Sequence, residues 1–399
     1  MASSVIAGRL ALLSAAAFAT MAALRVCDAL LPSLASDFGA TSGQAGQTVS
    51  AFAIAYGLAL LLYGPLGDRH DKFNVAAVAT LTCTVGSICC ALAPSLKMLI
   101  VFRAGWGVAA AGVTPLAMAW IGDTVPYERR QEVLAHLIGA TTLGLIAGQS
   151  LGGVLADTLG WRSAFWALAF VFAVTGTMMC VNACKPGGLG REARSAGAGG
   201  VSAGWAASMR SLFADPWARR VLIFSFVEGV FVFGGLAFLP SHLHQRFGLS
   251  MTWAGAVLVS YGAGGVVYSR IARPLLRRLG QTGLARAGGT LMCVYFASLC
   301  VLPAWGWALP ACLAGGLGFY MLHGTLQAYA TQMMPSSRGT AMTLFSSCLF
   351  MGNSAGVAMA ALLVDRWSAT AVFMVSALAL PIIGWSFAAQ AGATGRRVA

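Results

Sequence analysis

Between two long apolar blocks the chain reads Gly64-Pro65-Leu66-Gly67-Asp68-Arg69-His70-Asp71-Lys72. Two acids and two bases crowd into a turn flanked by apolar runs at 44–66 and 73–94. About 20 apolar residues at 1.5 Å rise cover about 30 Å of hydrocarbon, so each run has the length of a membrane-spanning helix. The two glycines add something a solvated turn does not require, because a residue without Cβ lets neighbouring helices approach closely.

Outward from this hairpin the pattern repeats. Apolar blocks lie at 9–34, 44–66, 73–94, 97–121, 131–156, 161–183, 218–240, 251–272, 284–304, 306–331, 338–364 and 367–389. Of 399 residues, 58% are hydrophobic and 9% charged, whereas soluble domains carry roughly a quarter charged residues. A water-exposed surface cannot be built from that supply. The expected fold is an all-α membrane protein of twelve transmembrane helices. The alanine-rich run after Arg9 has the look of a signal peptide, but eleven further blocks make it read as an uncleaved first helix.

The net charge of +13 resides in short gaps between blocks, without the aromatic interleaving of a nucleic-acid surface. No nucleic acid partner is expected, and the charge orients the chain instead. With the N-terminus inside, about nineteen basic residues fall on the inner side and about four outside, namely Lys97, Arg162, Arg246 and Arg366. Positive residues accumulate on the cytoplasmic side. The expectation is a multi-pass inner-membrane protein with both termini cytoplasmic, Arg396 and Arg397 marking the inner end of the last helix. Cys27, Cys83, Cys89, Cys90, Cys180, Cys293, Cys300, Cys312 and Cys348 fall inside apolar blocks without metal-ligand spacing and read as small core residues.

Landmarks recur. Leu31-Pro32-Ser33 and Phe38-Gly39 return as Leu239-Pro240-Ser241 and Phe247-Gly248, Ala45-Gly46 as Ala254-Gly255, and Pro126 with Arg129 as Pro335 with Arg338, all offset by about 209 residues. A repeat of six helices in one orientation implies a pseudo-two-fold axis along the membrane normal and a cavity between halves. The expected domains are 1–183, a polar cytoplasmic linker 184–217, and 218–399.

The hairpin resembles the signature of the major facilitator superfamily. Gly64, Leu66, Gly67, Asp68, Arg69 and Lys72 match, while Asp71 stands where glycine is usual and Phe73 where a second basic residue is usual. The resemblance covers essentially the whole chain. It implies the major facilitator fold, with two pseudo-symmetric six-helix bundles, a conformational latch in which Asp68 caps a helix of the opposite half, and an ion pair between Arg69 and Asp123. In the fifth block, Gly144, Gly148, Gly152 and Gly153 resemble the antiporter signature of drug/proton exchangers, with Gln149 in place of its proline. A plain small-residue packing face gives the same glycines. Arg103, ahead of Gly105 and Gly107, resembles an arginine linked in the family to proton transfer.

Charge inside the membrane is costly, so each such residue is a functional candidate. Arg25 and Asp28 lie three apart on one face of the first helix and can be buried as a pair. A buried carboxylate there carries a proton between conformations or serves as a fixed ion pair; the two readings stand side by side. Glu228 is the second proton-site candidate. Gln149, Phe231, Tyr261, Tyr320, His323, Gln327 and Asn353, with Trp120, are candidate cavity residues. His242 and His244, one residue apart, lack the further acid or cysteine of a metal site, so no metal is expected.

No nucleotide-binding loop or catalytic triad is present, and no enzyme activity is expected. The coupling source is a proton gradient, with no cofactor. The expected function is proton-coupled efflux of small amphipathic or drug-like molecules by alternating access, the chain acting as a monomer. The alternative is transport of a specific metabolite, its anionic group bound by Arg25 and Arg103. A non-transporting membrane sensor is the remote alternative, disfavoured because no loop is long enough for a soluble output domain.

Overall fold

A computed structural model describes residues 2–183, 209–334 and 338–398. The long helices are α1 (Ala2–Asp37), α2 (Ser42–Arg69), α3 (Lys72–Ala91), α4 (Leu96–Ala110), α5 (Val113–Thr124), α6 (Tyr127–Leu159), α7 (Trp161–Ala183), α8 (Pro216–Phe247), α9 (Met251–Cys300), α10 (Ala308–Ala330), α11 (Arg338–Arg366) and α12 (Ala369–Val398). Among the described residues, ten stretches are long and apolar enough to cross a bilayer, with α4 and α5 forming one of them. The 50 residues of α9 span about 75 Å at helical rise, and Gly280 breaks them at φ 65°, ψ 177°. That helix therefore crosses twice. The 23-residue α10, which carries His323 and Gln327 and is not among those ten stretches, supplies the twelfth crossing.

Two local features differ from the sequence expectation. The fourth block, expected as one helix over 97–121, is interrupted at Ala111-Gly112. The gap expected between 272 and 284 is almost wholly helical, its turn reduced to Gly280, because glycine alone reaches this backbone conformation without strain. The expected linker 184–217 lies outside the described residues up to position 208, as does Pro335.

The repeat has a physical basis in how helices end. Gly39 (φ 58°) follows α1 and Gly248 (φ 66°) caps α8, the two glycines that recur in Phe38-Gly39 and Phe247-Gly248. A left-handed residue after a helix turns the chain back and favours glycine. Thr41 then opens α2 by accepting a hydrogen bond from the Gln44 N–H, and Ser250 opens α9 by accepting one from Trp253. Equivalent turns thus start equivalent helices in each half.

The halves, α1–α7 and α8–α12, meet along two seams, α2 against α11 and α6 against α9. At the end of the bundle distal to the termini each seam is closed by a carboxylate. Asp365, ending α11, accepts from Thr41 Oγ1 (2.6 Å) and the Gly43 N–H (2.9 Å) at the start of α2. Asp157, ending α6, accepts from the Met251 and Thr252 N–H groups (3.2 and 2.7 Å) and Thr252 Oγ1 (2.7 Å) at the start of α9. Each anion caps a helix N-terminus of the other half, where exposed N–H groups and the helix dipole favour negative charge. The α2–α11 seam continues inward through Ser50 and Ser354 (2.9 Å) to Ser347, which donates to the Gly57 carbonyl (2.6 Å). An exposed anion at a helix N-terminus, as Asp157 and Asp365 both are, contributes about 0.3 to 1 kcal/mol. In the double variant Asp157→Asn, Asp365→Asn the distance between spin labels at Ala40 and Trp367 is therefore expected to lengthen and broaden, with each single variant giving about half the shift.

Candidate functional site

The glycines of α6 decide what α1 can meet. A Cβ on Gly144, Gly148 or Gly152 would run into the carbonyls of Phe18, Ala22 and Val26 of α1. These three glycines thus let two helix backbones of the same half touch. Gly153 is different, since its Cβ would strike the Met251 carbonyl of the opposite half. Gln149 does not break the helix: α6 runs uninterrupted to Leu159.

This close approach brings Gln149 to Asp28. Gln149 Nε2 donates to Asp28 Oδ2 at 3.0 Å, and Arg25 Nη1 donates to the same oxygen at 3.1 Å. Asp28 is fully buried, and its Oδ1 has no hydrogen-bond partner among the described residues. Leaving such an oxygen unpaired costs roughly 1 to 3 kcal/mol or more. Arg25 also lies 4.4 Å over the Phe233 ring of α8, across the seam.

Arg103 is fully buried but does not pair with Asp28. It donates through Nε to the Thr48 carbonyl (3.2 Å) and through Nη1 to the Ala23 carbonyl (2.8 Å), and it stacks on Phe52 at 4.1 Å. Its Nη2 has no partner among the described residues. The guanidinium ties α4 to α1 and α2.

In the second half, Glu228 and His323 come together. His323 Nδ1 lies 2.9 Å from Glu228 Oε2, and Glu228 Oε1 is buried without a partner among the described residues. Phe319 stacks on the imidazole, with ring centroids 5.0 Å apart and planes at 11°, and Phe345 lies 5.4 Å away. Phe233 meets Phe319 edge-on at 5.7 Å, so the contacts run from Asp28 and Arg25 through Phe233 and Phe319 to His323 and Glu228. Tyr261 is buried against Phe319 (6.2 Å), and its hydroxyl also lacks a partner among the described residues. Tyr320 packs edge-on against Phe319, with ring centroids 5.3 Å apart.

Other candidates sit elsewhere. Phe231, expected on the face of Glu228, lines a cavity of 30 Å³ with Gly356, Met359 and Val372 between α8, α11 and α12, and Ser376 donates to its carbonyl. The three-residue spacing failed here because three helical steps, about 300° in all, leave a side chain about 60° off its starting direction. Trp120 packs on Phe73 inside the first half, and Gln327 is exposed. Asn353 is 1% exposed with neither amide atom partnered among the described residues, and its backbone N–H side abuts Gly229. His242 rests edge-on against Phe373, while His244 meets the Leu249 carbonyl, so the two rings have separate surroundings.

At the polar hairpin the geometry corrects one pairing. Lys72 Nζ, not Arg69, meets Asp123 Oδ2, and Arg69 is exposed. Lys72 stands at the first position of α3, and Gly67 seats α2 on Leu116 of α5, which brings lysine to the carboxylate. Asp71, the departure from the signature glycine, caps α3 by accepting from the Asn74 N–H at 2.8 Å. The Asp68 side chain lies outside the described residues, so its capping role rests on the resemblance alone.

Twelve crossings in two related halves, with buried carboxylates flanking the seam between them, define a secondary transporter. The Major Facilitator Superfamily model matches residues 13–357, and the chain belongs to that superfamily. Among relatives, the uncharacterized MFS-type transporter YceJ of Bacillus subtilis (strain 168) is 27% identical over 343 residues, covering 84% of this chain and 83% of that protein. The purine ribonucleoside efflux pump NepI of Shigella sonnei (strain Ss046) is 24% identical, covering 87% and 85%. A chloramphenicol resistance protein of Streptomyces lividans is 29% identical, covering 66% and 65%. The crystal structure of the nucleoside transporter NupG has the same fold, with a TM-score of 0.77 at 13% identity over 96% of this chain and 98% of that one. The protein is thus a transporter of small molecules and not an enzyme.

Proposed function

We propose that this transporter exports small amphipathic molecules in exchange for protons, with Asp28 as the proton carrier. The observation that carries this reading is the buried Asp28 carboxylate, held on one oxygen by Arg25 and Gln149, with the other unpartnered among the described residues, in direct reach of the antiporter-like glycine helix. Names of relatives, an efflux pump and a resistance protein, support export. The chain acts as a monomer in the inner membrane with both termini cytoplasmic, needing no cofactor beyond the proton gradient. In this orientation the end closed by Asp157 and Asp365 faces outward, so substrate enters from the cytoplasm. Arg25 and Asp28 share one turn of α1, so the pair stays together as the halves rock; what changes between conformations is its cover from the opposite half, where Phe233 lies against Arg25. Substrate and proton then take turns on a site reached from alternate sides.

The test is proton release on adding chloramphenicol, a neutral amphipathic probe, to purified protein. Wild type is expected to release protons and Asp28→Asn to release none. Arg103 Nη2, unpartnered among the described residues, favours one rival, transport of an anionic metabolite. Saturable benzoate binding unaffected by Asp28→Asn, with no response to chloramphenicol, would select it.

A further inference from the structure

We infer that α9, at the end of the bundle that carries the termini, is a binding surface for anionic phospholipids, whose phosphates seat on Arg270 and Arg277 with Arg273 and Arg278 beside them. The inference is independent of what the transporter carries and of the role of Asp28. From Met251 to Cys300 the chain has no Asp or Glu, yet these four arginines crowd into nine residues ahead of the Gly280 turn. This hairpin is the second-half counterpart of α2 and α3: Pro65-Leu66 returns as Pro274-Leu275, 209 residues on, and Arg277 stands at the place of Asp68. The first hairpin answers Lys72 with Asp123. In the second, all four arginines are exposed and none joins an ion pair among the described residues.

Their direction identifies the occupant. Val259, Val266, Arg270 and Arg277 follow one another at seven, four and seven residues, which places them within about 40° of one another around the helix. Val259 and Val266 are 41% and 42% exposed, on the side away from Val257, Tyr261 and Gly264, which are buried in the bundle. On a membrane-spanning helix that exposed side meets lipid, so the two arginines continue the lipid-facing stripe beyond the hydrocarbon. Depth agrees with direction. Trp385 of α12, itself exposed, donates to Thr290 and carries Arg286 5.2 Å from its ring centroid, and tryptophan gathers at the membrane–water boundary. Arg286 lies six residues after the Gly280 turn and Pro274 six before it, so the boundary crosses the first arm of α9 between Arg270 and Arg277. Those two are separated by about 10 Å of helix, enough to cross a headgroup layer of about 5 to 8 Å. Arginine suits the place, because its stem lies along apolar surface while the planar guanidinium takes a phosphate by two hydrogen bonds.

The experiment titrates purified protein in uncharged detergent with phosphatidylglycerol labelled on its acyl chain, read by fluorescence anisotropy, with phosphatidylcholine carrying the same label as control. At low salt wild type is expected to prefer phosphatidylglycerol by about tenfold or more, since each arginine near the phosphate contributes about fivefold, and the preference shrinks at high salt. In the double variant Arg270→Gln, Arg277→Gln it falls to about twofold or less while the melting temperature is kept. Arg270→Lys, Arg277→Lys, which keeps the charge, stays within about threefold of wild type. Where the double glutamine variant fails to fold, Arg277→Gln alone still loses about fivefold. Equal affinity of wild type for the two lipids, or an undiminished preference in the glutamine variants, overturns the inference. Displacement of the labelled lipid by millimolar inorganic phosphate at matched ionic strength also overturns it and assigns the arginines to a soluble anion. All these readings are made without a transported substrate, so failure of the export reading leaves them unaffected.

Discussion

Asp28→Asn is expected to fold, to bind chloramphenicol, and to lose all transport driven by a pH gradient. Asparagine keeps the shape of the side chain and offers an oxygen to Arg25 and Gln149, the two groups that hold Asp28 Oδ2 at 3.1 and 3.0 Å. It removes only the change of charge. A gradient of two pH units is worth about 2.7 kcal/mol per proton, or about a hundredfold in substrate concentration, and none of it reaches the substrate when no proton moves. Proteoliposomes loaded with a pH-sensitive dye measure the loss, and counterflow of labelled chloramphenicol without a gradient, which needs no proton, should persist. If counterflow and folding vanish together, the Arg25–Asp28 pair is a structural ion pair and not a carrier.

Gly148→Val is the second large effect, and it falls on stability. The new side chain would enter the backbone of α1 at Ala22, and overpacking a close-packed interface costs about 1 to 3 kcal/mol. Because α1 and α6 belong to one half, the clash is present in every conformation. The expected outcome is a lower melting temperature in detergent, with Gln149 displaced from Asp28 and proton release lost in what remains folded. Gly153→Ala separates the two roles of the same motif: it strikes Met251 across the seam, so the melting temperature is kept while labels at the distal end move apart.

Much of this was legible in the sequence because it depends on local rules. Helix length, charge sidedness and the recurring Phe-Gly turns each follow from a few neighbouring residues, and the turns at Gly39 and Gly248 show why the repeat survives. Pairing between distant helices follows no such rule. Glu228 and His323 were each suspected as polar residues in apolar helices, but nothing in either helix says that they touch. Asp157 and Asp365 were overlooked because an acid at a helix end reads as solvated; their offset of 208 residues matches the other landmarks and was the available signal. The resemblance assigned Asp123 to Arg69, while the reach of Lys72 from the start of α3 decides the pairing. Asp71 was read as a departure from a motif, yet an acid just before a helix is an ordinary N-cap.

The measurement that bears most directly on proton-coupled export is chloramphenicol flux in proteoliposomes under imposed pH gradients of either sign, the membrane potential being clamped. Substrate is expected to accumulate on the acidic side, moving against the proton flow, and to reverse when the gradient reverses. Flux in the same direction as the protons, or indifferent to the sign of the gradient, would contradict exchange and with it the role given to Asp28.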